Sequence, residues 1–388
     1  MASVKRDSNV SSTSPPPPGH LPYSSISIVG MGLIGGSLAL GLRRAGYRGK
    51  LIGVSHPKTL GEARALNAID EGLPYEELIK AARAADLIVL SSPIFAIIEH
   101  LRLLGKEGKA LRPGVVITDV GSTKRAILRA AEECLPHHAV FVGGHPLAGS
   151  EQRGMQAADP FLFQNAYYVL TPSPGAPPEE VKRLGAFLSL TGARMVVLSA
   201  ADHDRIAATI SHLPQLLAVS LVRFLDDLGP HKEHGIHLAA GGFRDMTRIA
   251  SSPYPVWRDI LLTNKDLISE VAGRFLECCR ATAQGLEDSA LQAAFEGAAK
   301  TRAEIPRDSK GFLHRLWDAL VVVEDRPGTI AGIALPLAEK GINIQDIEVL
   351  KVREGEGGTL RLAFASQAIA LEAIQILEEK GYKARLRE

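Results

Sequence analysis

The chain is expected to fold as an α/β protein. A doubly wound parallel sheet comes first, then an all-α segment, then a small βαββαβ unit. Three observations predict this. Strand-like and helix-like stretches alternate from Ser25 onward, a glycine-rich turn joins the first strand to the first helix, and strand formers return in 313–388 after a long helical stretch.

Ile26-Ser27-Ile28-Val29 is a short β-branched run, Leu33 to Arg44 has helical spacing, and Lys50 to Val54 is again strand-like. Ala85 to Leu90 and Val115 to Thr118 read as further buried strands. After residue 198 the character changes: Ala201 to Arg223 and Val256 to Leu286 carry apolar residues at three- and four-residue spacing and read as two long helices. In the last segment Leu316 to Val323 is a strand, Asp325-Arg326-Pro327-Gly328 a turn, and Thr329 to Glu339 an amphipathic helix. Gly341-Ile342-Asn343-Ile344 starts another strand, Thr359 to Phe364 alternates like a strand, and Ala370 to Lys380 reads as a helix. The expected divisions are a disordered tail 1–22, a nucleotide-binding domain 23–198, a helical domain 199–312 and a terminal domain 313–388.

The 388 residues, with 46% hydrophobic content, suffice for two or three domains with real cores. A formal charge of +1 and the lack of a basic stripe with interleaved aromatics argue against a nucleic-acid partner. No apolar run approaches the roughly 20 residues needed to span a bilayer, so no membrane role is expected. Cys134, Cys278 and Cys279 offer neither a disulfide framework nor metal-ligand spacing, so no metal site is expected and a reducing compartment is. The Ser- and Pro-rich start, Ser11 to Pro18, cannot bury enough apolar surface to order itself and lacks the apolar core of a secretion signal. A cytoplasmic location is expected.

Gly30-Met31-Gly32-Leu33-Ile34-Gly35 lies between the first strand and first helix and is the Rossmann dinucleotide fingerprint. Its glycines serve a tight turn, backbone approach to the pyrophosphate and helix-on-strand packing. Ser55 stands where an acidic residue usually holds the adenosine ribose, with His56 and Lys58 after it. Serine can still bond the ribose but lacks the charge that repels a 2′-phosphate, so NAD and NADP both stay open. Ser92 and Pro93, beyond the Ala85–Leu90 strand, belong to the same cofactor-binding set.

A second constellation is Gly143-Gly144-His145-Pro146-Leu147-Ala148-Gly149-Ser150-Glu151. A histidine among small residues, downstream of a dinucleotide turn, suits an acid–base group that takes a hydroxyl proton as a hydride leaves. The alternative is a Gly/Pro turn whose histidine caps a strand end. In Asp119-Val120-Gly121-Ser122-Thr123-Lys124, Ser122 either caps a helix or points into the crevice at the strand ends. Arg244 and Arg248, four apart among Gly, Phe, Met and Ile, would share a helix face and suit a carboxylate better than a solvated surface.

These motifs, together with Ser211-His212-Leu213-Pro214 and Phe243-Arg244-Asp245-Met246-Thr247-Arg248-Ile249-Ala250, resemble in their order the prephenate dehydrogenases of tyrosine biosynthesis. The segment from Asp325-Arg326-Pro327-Gly328 through Ile344 resembles an ACT domain, a small amino-acid-sensing module. The resemblance implies oxidative decarboxylation of prephenate to 4-hydroxyphenylpyruvate with hydride transfer to NAD, NADP being the alternative. It implies that His145 accepts the hydroxyl proton, with an ordinary pKa near ~6.5 as the starting expectation, and that Ser122 orients it. Arg248 matches the arginine that grips a substrate carboxylate, with Arg244 as a second electrostatic contributor. Glu151 and Trp257 match residues at the pocket mouth, and His212 a histidine with a catalytic or structural hydrogen bond.

Members acting on prephenate often carry a further histidine after Ser-His-Leu-Pro, where this chain has Gln215. An amide tolerates the ammonium of arogenate better than an imidazolium does, which keeps arogenate open as substrate. A homodimer is implied, with tyrosine as effector of the terminal unit near Gly328 and Asn343. Other readings are a β-hydroxyacid dehydrogenase, a pyrroline carboxylate reductase, or a non-catalytic nucleotide or amino-acid sensor on the same folds.

Overall fold

In the computed structural model the described residues are 22–149, 152–285, 289–305, 316–324, 326–353 and 357–387. The chain divides into two compact units, 1–293 and 294–388. This division does not separate a nucleotide domain from a helical one, and the expected border at 312/313 lies outside the described residues.

The first unit opens with β1 (Ser25–Val29), α1 (Leu33–Arg44), β2 (Lys50–Val54), α2 (Pro57–Ala65), β3 (Glu71–Leu73), α3 (Leu78–Arg83), β4 (Leu87–Leu90), α4 (Ile94–Lys106), β5 (Val116–Asp119) and α5 (Arg125–Cys134). β6 (Val140–Pro146), β7 (Tyr167–Pro172), α6 (Pro178–Leu188) and β8 (Arg194–Val197) complete one eight-stranded sheet of order β3-β2-β1-β4-β5-β6-β7-β8. The first six strands are parallel, with the order reversing between β1 and β4, which pair Val29 to Leu90. β7 runs antiparallel to β6, so the sheet is not parallel throughout. The link from β6 to β7 carries no α-helix among its described residues, and an antiparallel step needs no helical crossover.

Both faces are covered, which is why the strands read as continuous apolar runs. Ile26, Ile28, Val89 and Val142 pack with Leu38 and Leu42 of α1 and Phe187 of α6. Val29, Val54, Ile88 and Ile117 pack with Ile94, Ile97, Leu101 and Leu104 of α4. Each such side chain stabilises the unit by about 1.5–3 kcal/mol on burial, and together they fix the strand ends where ligands meet the sheet.

The two long helices of the sequence reading are broken where buried polar residues enter. Ala201–Arg223 resolves into α7 (Ala200–Ala207), a π-helical segment Ala208–His212, and α8 (Leu213–Phe224). α9 (Lys232–Leu238) and α10 (Gly241–Thr247) follow; then Val256 onward resolves into α11 (Tyr254–Thr263) and α12 (Lys265–Gln284), separated by the buried Asn264, and α13 (Ser289–Glu304) closes the series. By length and composition the helical run Ala200–Leu238 is apolar enough to cross a membrane, against the expectation that no such run exists. Its buried His203, Asp204 and His212 bond to α5, to β6 and to Asn264, which ties the run into this unit.

The second unit contains β9 (Trp317–Val323), α14 (Thr329–Glu339), β10 (Asp346–Arg353), β11 (Gly357–Phe364), α15 (Gln367–Glu379) and β12 (Lys383–Leu386). The strands form an antiparallel sheet of order β10-β11-β9-β12, the βαββαβ arrangement expected of an ACT domain. Ile333 and Leu337 of α14 and Ala373 and Leu377 of α15 pack on Val321 and Leu362. Gly328 has φ +90° and starts α14, a backbone conformation that glycine adopts without strain. Gly341 to Ile344 precede the strand instead of beginning it: β10 starts at Asp346, and Asn343 is exposed in the connection.

Candidate active site

The glycine turn sits where the strand order reverses, and each glycine meets different surroundings. Gly30 has φ +98°, and a Cβ there would lie 2.3 Å from the Ser91 carbonyl oxygen. A Cβ on Gly35 would lie 2.1 Å from the Gly30 oxygen and 3.1 Å from Ile28, so α1 rests directly on the turn. Gly32 faces open space, with nothing within 4 Å of such a Cβ among the described residues. It caps α1 without a side-chain hydrogen bond, and the first turn, which begins with Leu33 and Ile34, holds no acidic residue. Uncapped N–H groups at the start of a twelve-residue helix, beside open space, fit a pyrophosphate.

Ser55 is buried at the end of β2, and His56 opens α2 with its ring edge-on to Tyr75 at 5.1 Å. Ser92 Oγ lies 3.4 Å from the Val29 carbonyl, and Pro93 caps α4. Ser91 Oγ is buried with no hydrogen-bond partner among the described residues, a polar group beside Gly35. The residues therefore fit a dinucleotide along the ends of β1, β2 and β4.

Two strands away, β5 ends in Asp119, which is fully buried. Its carboxylate accepts from Gly121 N at 2.7 Å and Gly144 N at 3.1 Å and pairs with the buried Lys124 ammonium, which donates to the Gly144 carbonyl at 2.7 Å. This clamp ties the β5–α5 turn to β6 one residue before His145. His145 is the penultimate residue of β6 and pairs with Val169, so it does lie at a strand end. Its Nδ1 lies 2.8 Å from His203 Nε2, and His203 Nδ1 lies 2.8 Å from Asp204 Oδ1. Burial foremost, with His203, Lys124 and His212 adding to it, holds the His145 pKa well below the usual imidazole range. The expectation of an ordinary value is therefore corrected, and His145 is a neutral imidazole at neutral pH.

Asp204 is pushed upward by burial, but His203 and the backbone N–H groups of Arg125 and Lys124 more than offset this and keep it below the usual carboxylate range. Its backbone carbonyl accepts from Asn264 Nδ2 at 2.8 Å, and the same amide lies 3.3 Å from His212 Nδ1. Arg125 spans the assembly, donating to Asn264 Oδ1 at 2.8 Å and forming a two-pronged pair with Asp266. Burial lowers the His212 pKa to about 4, so this ring is neutral too. It stands 6.1 Å from Trp257, which is half-buried on α11.

Residues 38–197 match the family described as "Prephenate dehydrogenase, nucleotide-binding domain", and residues 199–297 that described as "Prephenate dehydrogenase, dimerization domain". The chain is 35% identical over 367 residues to prephenate dehydrogenase of Bacillus subtilis, covering 92% of this chain and 96% of that protein. The chain belongs to the prephenate dehydrogenase family. Among solved structures, prephenate dehydrogenase of Aquifex aeolicus in complex with hydroxyphenyl propionate and NAD+ aligns with a TM-score of 0.64 and 29% identity, covering 73% of this chain and 98% of that one. Synechocystis arogenate dehydrogenase aligns with a TM-score of 0.65 and 30% identity, covering 72% and 99%.

Within this family frame, the structure brings together some of the residues that the sequence singled out. The half-buried His145 and the buried His212 belong to one polar assembly, with Trp257 beside His212. Ser122 is half-buried in the β5–α5 turn; Lys124, not Ser122, caps α5, and no hydrogen bond joins Ser122 to His145 among the described residues. Arg244 lies on α10, which ends at Thr247, and Arg248 opens the following 3-10 turn; both are exposed. Gln215 is buried, donates to the Ile249 carbonyl at 3.1 Å and leaves its Oε1 without a partner among the described residues. It therefore positions the turn that carries Arg248. Glu151 lies outside the described residues.

Sequence reasoning missed Asp119, Lys124, Arg125, His203, Asp204 and Asn264 as parts of the site. Asp119 and Lys124 stood inside a quoted motif and went unassigned, because a buried pair five residues apart shows no periodicity. His203 and Asp204 had a signal, an adjacent His–Asp pair following the Ser199 helix cap.

Proposed function

We propose that this chain oxidatively decarboxylates prephenate to 4-hydroxyphenylpyruvate, with NAD as the hydride acceptor, as a step of tyrosine biosynthesis. The observation that carries this reading is a histidine held near the end of β6, two strands beyond β4 of the dinucleotide site, with its Nδ1 engaged by His203 and its Nε2 unbonded among the described residues. The bound nicotinamide supplies the electron sink for the hydride, and the turn Gly30–Gly35 with Ser55, His56, Ser92 and Pro93 holds the dinucleotide.

His145 Nε2 takes the hydroxyl proton from the ring carbon that loses hydride. Ser122, in the adjacent turn, orients that hydroxyl. Arg248, assisted by Arg244, binds a substrate carboxylate by charge-assisted hydrogen bonds. Loss of carbon dioxide places its bonding electron pair in the ring, and the oxygen that becomes phenolic recovers the proton. His212, with Nδ1 facing the Asn264 amide, presents an N–H at Nε2 toward Trp257's side of the site. Glu151 remains a pocket-mouth residue on the resemblance alone.

A homodimer follows from the dimerization-domain match, and Ile210, Val222 and Phe224 leave apolar side chains exposed for a second copy to cover. The enzyme is a cytoplasmic one on this reading. Tyrosine is the effector of the βαββαβ unit, with Gly328 before α14 and Asn343 in the connection after it as the residues that bind it. Inhibition by tyrosine that persists unchanged in Asn343→Ala would move the effector site elsewhere.

The test of activity is reduced-nicotinamide fluorescence with prephenate and then arogenate, each with NAD and NADP. Turnover of prephenate with NAD is expected. A higher kcat/KM for arogenate would favour the second substrate, for which the unpartnered Gln215 Oε1 offers an ammonium acceptor. No turnover in any combination would return the chain to a sensor role.

A further inference from the structure

His145 does not stand alone: it heads a chain of three side chains that ends in a buried carboxylate. Asp204 is 0% exposed and accepts the backbone N–H of Lys124 at 2.7 Å and of Arg125 at 2.9 Å in addition to His203. A carboxylate holding that many donors is ionised and accepts only. His203 must therefore present an N–H at Nδ1, which leaves the lone pair of the ring on Nε2. That lone pair faces His145 Nδ1 at 2.8 Å, so His145 carries its hydrogen on Nδ1 and its lone pair on Nε2.

We infer that His203 and Asp204 are positioning residues that fix His145 in the tautomer whose Nε2 accepts a proton, and that they share the charge His145 acquires. The inference rests on His145 as the base. As the substrate O–H bond breaks, an N–H bond forms at His145 Nε2, and the hydride leaves with its electron pair to the nicotinamide. The His145 Nδ1–H bond can then break as one forms at His203 Nε2, so the positive charge lies on the ring that touches the Asp204 carboxylate. The phenolic oxygen recovers the proton by the reverse route, and the enzyme returns unchanged.

The other groups facing His145 favour that direction. Lys124, paired with Asp119, places a positive charge on the β5 side and opposes charge on His145 itself. His212 is neutral, and the Arg125 charge is engaged by Asp266 and Asp204. His203 itself is buried, and its two ring nitrogens are engaged by His145 and Asp204.

The test uses the full chain labelled with 15N-histidine, and His145 is assigned through His145→Asn. In the wild type, His145 Nδ1 is expected to be of the protonated type and Nε2 of the lone-pair type. His203→Ala is expected to lose that fixed tautomer and about 10²-fold in kcat, the lower end of what a positioned acid–base group contributes, while KM for NAD stays within about twofold. His203→Gln should recover about tenfold over His203→Ala, since its amide oxygen still accepts from Nδ1–H but carries no proton onward. Asp204→Asn is the more direct change, but it weakens contacts to the start of α5, so the His203 pair decides if that variant does not fold. A lone pair on His145 Nδ1 in the wild type, or equal kcat in wild type, His203→Ala and His203→Gln, overturns the inference. Near-normal kcat in His145→Asn instead removes the base assignment, whatever the tautomer measurement finds.

Discussion

Gly32→Ala and Gly35→Ala separate the binding role of the turn from its packing role. At Gly32 the backbone angles, φ −82° and ψ −157°, are open to alanine, and the new methyl meets nothing within 4 Å. Its cost to folding is that of alanine in place of glycine at a helix cap, about 0.5–1 kcal/mol. The methyl occupies the space through which the pyrophosphate reaches the uncapped N–H groups. Losing one charge-assisted hydrogen bond there costs about 1.5–3 kcal/mol, or roughly 10- to 150-fold in Kd for NAD. At Gly35 the order inverts. A methyl 2.1 Å from the Gly30 oxygen forces α1 off the turn, at the upper end of the ~1–3 kcal/mol typical of overpacking or beyond it. Calorimetric titration with NAD and thermal unfolding of both variants check this. Gly32→Ala with wild-type NAD affinity, or with as large a drop in Tm as Gly35→Ala, would refute the assignment of these two glycines.

Three further outcomes follow from the site. His212 has its pKa lowered to about 4 in the folded state against ~6.5 unfolded, so the unfolded chain binds the extra proton and stability is lost as pH falls from about 6.5 toward 4, by roughly 3 kcal/mol from this group. Denaturant unfolding at pH 7 and pH 5 should show that slope in the wild type and a flatter one in His212→Asn; equal slopes would contradict it. Arg248→Ala should weaken prephenate binding by about 1.5–3 kcal/mol with NAD affinity near wild type, and equal losses for both ligands in direct titrations would make Arg248 structural. Ser55→Asp should shift the ratio of kcat/KM values toward NAD over NADP, whereas an unchanged ratio would show that position 55 does not reach the ribose.

The parts legible in the sequence are those written in short-range pattern. The limits of α1 and α14 followed from spacing, and the turn at Gly30 to Gly35 from residue type alone. The antiparallel β7 was not foreseen because no residue type marks strand direction. The breaks in the long helices were hidden for a related reason. His203 and His212 are nine residues apart, which on a regular helix places them about half a turn from one another. The π segment Ala208–His212 changes that phase; His212 reaches the Asn264 amide, while His203 reaches His145 and the Asp204 carboxylate.

The site was half legible. His145 and the cofactor turn stood out because their chemistry is local. The Asp119–Lys124 clamp and the His203–Asp204 link are made by groups whose meaning depends on which strands lie side by side. Asn343 shows the opposite failure: its isoleucine-rich stretch reads as the start of a strand, yet tertiary pairing of β10 with β11 begins only at Asp346.

The central claim is that a neutral His145 is the base of the reaction, and the most direct measurement is kcat for His145→Asn beside the pH profile of the wild type. Expected are a loss of roughly 10²–10⁴ in kcat with substrate binding changed much less, and a wild-type kcat/KM that stays level to below pH ~6.5 before it falls. A variant that retains near-normal kcat, or a wild-type profile that already falls above pH ~6.5, would contradict it.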